Sequence, residues 1–254
     1  MATFVLVPGA WAGGWIWRSV SDRLRDAGHR VYTPTLTGLG ERSHLGGPHI
    51  GPGTHVEDVA GVLTYEGLED VVLVGHSYAA AVLPGVADRC RERLRGLVYV
   101  DAAPLPSGMA PAELLPAGLR ETFADSVARD GDGWALPVPH WDELTRTFGT
   151  VGISDAQREL MTLLQTPHPW SCYTRGVVLE HGNDPGLPQT LVCCAMPPQQ
   201  REFFRGDHSP LAGDWTFRDL PGTCRPGTGR CSPTPTGWPP CCPRLRMADP
   251  PRPA

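Results

Sequence analysis

The sequence predicts an α/β fold: a mostly parallel sheet with helices on both faces. Three observations carry this. Short apolar runs (Phe4–Val7, Val71–Val74, Leu97–Val100) have the length and composition of buried parallel strands. Segments of helical periodicity stand between them, and strand alternating with helix implies right-handed crossovers. The chain has 254 residues, 41% of them hydrophobic and 19% charged, enough for one sizeable core.

The elements follow in order. The first run ends at Pro8-Gly9. Trp15, Trp17, Val20 and Leu24 then recur at helical spacing, with Gly28 placed to end the helix. Val31-Tyr32 opens a second strand, broken by Pro34, and a Gly-rich loop reaches Gly53. Thr54 is a candidate cap for a helix bearing Val56, Val59, Ala60 and Leu63, with Glu57 at capping-box spacing. Val71–Val74 leads into Gly75-His76-Ser77, and Tyr78–Arg93 reads as a helix despite Pro84. Leu97–Val100 ends at Asp101. From Pro104 to about His181 the text is helical and loop-like, without a convincing strand, as an inserted cap would be. Strands resume at Thr190–Cys194 and Trp215–Leu220.

Composition narrows the function classes. The net charge is -5 and no basic block is present, so no nucleic-acid partner is expected. No apolar run approaches the roughly 18 residues of a membrane span. The N-terminus runs directly into a strand without a basic leader, so a cytoplasmic location is expected. Four cysteines (Cys90, Cys172, Cys193, Cys194) are scattered through the domain and do not form a disulfide framework. A homodimer is left open.

Gly75-His76-Ser77-Tyr78-Ala79 carries the chemistry. Gly-x-Ser-x-Ala is common as a bare pattern, but a strand before it and a helix after it give the context of a nucleophile elbow. The residues flanking the serine must be small because the turn is tight. The helix N-terminus then aims the Tyr78 N–H at a developing oxyanion. A second donor must come from the loop after the first strand, where Gly9 permits an unusual backbone and the Ala10 N–H is the candidate. The plainer reading of Pro8–Trp15 is a Gly-rich turn.

Several segments resemble the salicylate-esterase and hydroxynitrile-lyase branch of the α/β hydrolases in its actinobacterial form. They are Phe4–Trp17, Pro34–Arg42, Val74–Tyr78 and Leu97–Ala102. The resemblance is close over residues 1 to about 110, loose through the cap, and faint again at Leu191–Cys194 and Trp215–Leu220. It implies an α/β-hydrolase fold and cofactor-free Ser-His-Asp chemistry on esters or cyanohydrins, with no metal. Pro8 stands where the branch usually has histidine.

In much of that branch the acid follows the strand that here is Leu191–Cys194, where this chain reads Ala195-Met196-Pro197-Pro198. Asp101, one strand earlier, is the alternative acid; its other reading is a structural aspartate capping a turn. The branch places its histidine in a Gly-His segment after the last strand, and none occurs there. His208, in Gly206-Asp207-His208, is the only late histidine and precedes that strand, so it is a stand-in base at most. His76 is the usual elbow neighbour. His29, His44, His49 and His55 read as loop or surface residues, and no histidines fall at metal-ligand spacing.

Residues 221–254 break the composition, with 10 Pro, 4 Cys, 5 Arg and Asp249 as the only acid. Written with GC-rich codons and read two bases along, the tail yields a Gly-His followed by an amphipathic helix. A frame change between about Leu220 and Gly227 is therefore the favoured reading, against a natural Pro-rich tail.

The resulting expectation is a hydrolase domain over 1–220, with a cap over about 104–181, and an irregular tail over 221–254. Ser77 would be the nucleophile, Asp101 the acid, His208 the stand-in base, and Ala10 and Tyr78 the oxyanion donors. The partner would be a small apolar or aromatic ester, suggested by Trp134, Trp141, Phe148 and Trp170. The alternatives are a hydroxynitrile lyase, which would want a threonine at position 9 and a lysine, and a catalytically inactive relative. The chain contains no lysine.

Overall fold

The computed structural model describes residues 1–150, 152–196, 202, 204–205, 211 and 215–219. His208 and the tail 221–254 lie outside the described residues. The elements are β1 (Thr3–Val7), α1 (Arg18–Asp26), β2 (Arg30–Tyr32), α2 (Pro52–Tyr65), β3 (Val71–His76), α3 (Leu83–Cys90) and β4 (Leu94–Val100). After β4 come α4 (Ala117–Asp130), β5 (Ala135–Leu136), α5 (Trp141–Phe148), α6 (Asp155–Leu164), β6 (His168–Pro169) and α7 (Ser171–Thr174). The last strands are β7 (Gln189–Cys193) and β8 (Trp215–Asp219).

Six strands form one parallel sheet in the order β2-β1-β3-β4-β7-β8. The order reverses between β1 and β3, the position where an open α/β sheet forms a crevice at its carboxyl edge. Val7 pairs with Gly75 and His76 with Val100. The loop after β1, the turn after β3 and Asp101 after β4 therefore emerge side by side.

Local chemistry explains three departures from the expected boundaries. The second helix starts at Gly51-Pro52, not at Thr54, because proline at the first helical position loses no intrahelical hydrogen bond and has φ preset. Residues 77–93 form a 3-10 turn (Ser77–Ala81), then α3, then a second 3-10 turn (Arg91–Arg93). Pro84 is tolerated because it falls in the first turn of α3. The cap is not wholly helical: β5 and β6 pair antiparallel over two residues each. Gly28 does end α1, at φ +84°.

The two faces of the sheet are unequally covered. On one, α2 and α3 bury Val5, Val7, Leu73, Leu97, Tyr99 and Leu191 in a continuous core. On the other, α1 and Trp17 cover Leu6, Val31, Val72 and Val74. Toward β7 and β8 no described helix continues this cover. Val98, Val100, Thr190 and Val192 are half-buried, and Thr216 and Arg218 are exposed. Leu97→Ala should therefore cost about 2–5 kcal/mol, and Val98→Ala less than about 1 kcal/mol. Urea unfolding of the two variants checks this; equal losses would mean that the second face is packed as tightly as the first.

Candidate active site

Ser77 follows β3 directly and opens the 3-10 turn that leads into α3. Its φ is +52°, a left-handed conformation that a non-glycine residue adopts only under constraint. The constraint comes from both sides. At Gly75 an added Cβ would lie 2.6 Å from Leu83 Cδ1 and 3.0 Å from Ala79 Cβ, so the turn closes only without a side chain there. The same contact explains Ala79: its methyl fills the space left by Gly75, so a second glycine is not required. The Ser77 side chain is exposed at the carboxyl edge of the sheet. Among the described residues none hydrogen-bonds its hydroxyl.

The loop after β1 lies against this turn. A Cβ on Gly9 would lie 2.8 Å from His76 Nδ1 and 3.2 Å from Ser77 Cβ. Ala10 is thus adjacent to the serine, and among the described residues its N–H donates to no acceptor. Tyr78 is the second residue of the 3-10 turn that Ser77 opens, where N–H groups have no intrahelical partner.

Asp101 also has a left-handed backbone, φ +50°, at the end of β4. Its Oδ1 accepts from the N–H groups of Cys194 (2.6 Å), Ala195 (3.0 Å) and Met196 (3.2 Å). Among the described residues Oδ2 accepts from Ala195 alone, at 3.0 Å, and keeps capacity for another donor. The carboxylate therefore caps the turn after β7. The His76 imidazole is lowered by burial and pulled up by the Asp101 carboxylate. Its ring meets Trp17 edge-on at 6.4 Å.

Behind the elbow lies a polar cluster that the sequence did not announce. His55 is not a loop or surface residue; it is fully buried in α2. Its Nε2–H donates to the Thr37 carbonyl at 2.9 Å, so its Nδ1 accepts from the Tyr78 hydroxyl, also at 2.9 Å. Thr37 is held by Asp58 through its N–H (2.7 Å) and hydroxyl (2.8 Å), and Arg42 pairs with Asp58 at 3.0 Å. The His168 ring, fully buried, meets Tyr78 edge-on at 4.5 Å.

His55, His168 and Cys172 bring one candidate ligand atom each to within 4.8 Å of one another. Their hydrogen bonds do not suit a metal. His55 has both nitrogens engaged, and His168 Nδ1 accepts from the Trp11 N–H at 3.4 Å, which puts the ring proton on Nε2. Neither imidazole offers a free lone pair, and burial pushes the Cys172 thiol up to about 12. Burial also holds His55 below its ordinary value, opposed by Thr37 and Asp58, and holds His168 well below it, with His55 adding to the effect. The cap aromatics expected to face substrate are engaged in packing: Trp170 stacks on Tyr173 at 5.7 Å, and the Arg158 guanidinium lies over Trp141.

Comparison with known proteins accords with this arrangement. A model of the alpha/beta hydrolase family matches residues 4–217. A carbendazim-hydrolysing esterase of Nocardioides sp. (strain SG-4G) is 52% identical over 119 residues, 47% of this chain and 49% of the esterase. Methylesterase 2 of Arabidopsis thaliana is 31% identical over 130 residues, 50% of this chain and 48% of that protein. The chain thus spans about half the length of the curated relatives it matches. Among solved structures, an extracellular alpha/beta-hydrolase from a Paenibacillus species has a TM-score of 0.74 at 25% identity, covering 87% of this chain and 90% of the other. Its published description gives it structural and functional homology to tobacco salicylic acid binding protein 2. A methylesterase from Arabidopsis has a TM-score of 0.66 at 17% identity, covering 88% and 90%. No described helix is long and apolar enough to cross a membrane.

Because His55, His76 and His168 are all held below the ordinary 6.5, the folded protein binds fewer protons than the unfolded chain in mildly acidic solution. Their contribution to stability is complete above about pH 6.5 and is lost as pH falls below it. The urea midpoint should fall steadily between pH 7.5 and 5. A midpoint that stays level or rises over that range would contradict the neutral assignment.

Proposed function

Because the chain belongs to the alpha/beta hydrolase family, we propose that it hydrolyses a small carboxylic ester through an acyl-enzyme formed on Ser77. The observation that carries this is Ser77 itself, exposed at φ +52° on a strand-to-helix turn with the bare Gly9 backbone against it. The hydroxyl would attack the ester carbonyl. The N–H groups of Ala10 and Tyr78 would receive the developing negative charge, the alcohol would leave, and water would release the acid. Asp101 would orient and charge-stabilise a histidine base by accepting its N–H through a remaining lone pair of Oδ2. Apolar cap side chains left exposed, Phe148, Leu160 and Leu163, favour an apolar or aromatic ester, and Phe148 lies beside Trp11. The named activities of the esterase relatives point to the same bond class.

The base is the open term. No described histidine reaches the Ser77 hydroxyl, and His208 lies outside the described residues. We therefore retain the frame change after about Leu220 as the account of the missing Gly-His segment. The half-covered face beside β7 and β8 fits it, since a closing helix would lie there. A hydroxynitrile lyase reading is disfavoured: a threonine at position 9 would place its Cβ 2.8 Å from His76 Nδ1, and the chain has no lysine.

Two proteins test the reading: the chain as given and one restored to the second frame from about Leu220. The restored protein should hydrolyse p-nitrophenyl acetate, and Ser77→Ala should abolish this. The chain as given should be slower by orders of magnitude, because a serine without its base retains only a roughly 10³–10⁴-fold advantage over water. A folded but inactive restored protein would overturn the esterase assignment. Brisk turnover by the chain as given, lost in His208→Ala, would instead identify His208 as the base.

A further inference from the structure

Trp11 is the chain neighbour of the candidate oxyanion donor Ala10, and it too is left-handed, at φ +61°. All three of its polar groups are held by the cap. Its N–H donates to His168 Nδ1 at 3.4 Å. Its carbonyl accepts from the Thr166 N–H at 3.0 Å. Its indole N–H donates to the Leu136 carbonyl at 3.2 Å. Leu136 and His168 are register partners in the β5–β6 pair, so two of the three bonds come from one rigid ribbon. A bulky residue in this conformation persists only when its surroundings over-determine it. The cap supplies that determination; the strand end alone does not.

His168 also touches the other arm of the site. Its ring lies 4.5 Å from the Tyr78 ring, at 71°. Tyr78 is fixed from behind by its hydroxyl bond to His55. One fully buried side chain thus bears on the residue after Ala10 and on Tyr78. The remaining groups around it are uncharged in their ordinary states: His55 from α2, and Cys172 and Tyr173 from α7. Among the described residues its buried Nε2–H has no hydrogen-bond partner, a cost that packing alone would not favour retaining. An apolar ring of the same size would fill the space without that cost.

We propose that His168 is a positioning residue: its neutral imidazole accepts the Trp11 N–H, buttresses Tyr78, and so lets the cap set both donors of the oxyanion hole. It does not touch the reacting atoms. The inference rests on the serine-hydrolase reading for its catalytic consequence, and on the Trp11 geometry for its structural one. A loop held this way would make the site dependent on cap docking, since the hydrogen bonds of Trp11 among the described residues all come from Leu136, Thr166 and His168.

Two readouts separate these layers, exchange on the full chain and Ser77 modification on the frame-restored protein. Hydrogen–deuterium exchange of the peptide spanning Leu6–Trp15 reads the Trp11 bond without any need for activity. The rate of Ser77 modification by an alkyl fluorophosphonate, followed by mass spectrometry, reads the oxyanion site. His168→Phe keeps a ring against Tyr78 but removes the acceptor. It should deprotect the loop and slow modification about 100-fold, the scale of an ångström-level misplacement. His168→Asn puts an amide oxygen near the Nδ1 position and should restore protection and bring the rate to within about threefold of the unsubstituted chain. Unchanged exchange in His168→Phe overturns the proposal, as does a folded His168→Asn that behaves like His168→Phe. If His168→Phe fails to fold, His168→Asn decides alone. If neither folds, His168 is a residue of the fold and not of the site, and the proposal is overturned. If Ser77 of the frame-restored protein is never modified while the exchange results hold, the serine-hydrolase reading fails and the cap–loop clamp stands.

Discussion

The site depends on one close approach, that of the Gly9 backbone to the turn at Ser77. A single methyl at Gly9 would meet His76 and Ser77, and one at Gly75 would meet Leu83 and Ala79. The strained serine is therefore enclosed between two positions that tolerate no side chain. Parallel pairing of β1 with β3 brings the two loops together, and the buried core beneath, from Val5 and Leu73 to Leu83 and Val86, keeps them there. The backbone strain at Trp11, Ser77 and Asp101 falls at successive strand ends of the same sheet edge. That clustering is what the proposed site at this edge rests on, more than any single residue.

Asp101 shows how one residue can satisfy two readings. Three backbone N–H groups from the turn after β7 converge on its carboxylate, which is the structural role. The same bonds fix the orientation of Oδ2, as an acid working through a histidine requires. The turn Cys194–Met196 after β7 carries no carboxylate of its own and is ordered around one borrowed from the end of β4.

Much of this was legible in the sequence because it rests on local pattern. The apolar runs, the Gly-His-Ser sequence after one of them, and Gly28 at a helix end are each decided within a few residues. What could not be read comes from distant parts of the chain. His55, His168 and Cys172 are separated by more than 100 residues, or belong to different elements, and meet only because the cap folds over α2 and the elbow. His55 reads as a loop or surface residue because nothing local signals that the first turn of α2 faces inward; its burial comes from Thr37 and Tyr78, which are distant in sequence. Trp11 passed as one more aromatic in a Gly-rich turn, since neither its left-handed backbone nor its three bonds to the cap has a local sequence signal.

The cap is thus more than a cover. Its two-residue ribbon carries the contacts that hold Trp11, and its helices place Tyr173 and Cys172 behind Tyr78. The most direct test of the central claim is to follow the acyl group. The frame-restored protein would be mixed with an activated aryl ester, quenched in acid and mapped by peptide mass spectrometry. The account predicts an acyl adduct on Ser77 that appears before steady turnover and vanishes in Ser77→Ala. Turnover that continues with the adduct on another residue, or that survives Ser77→Ala, would contradict it.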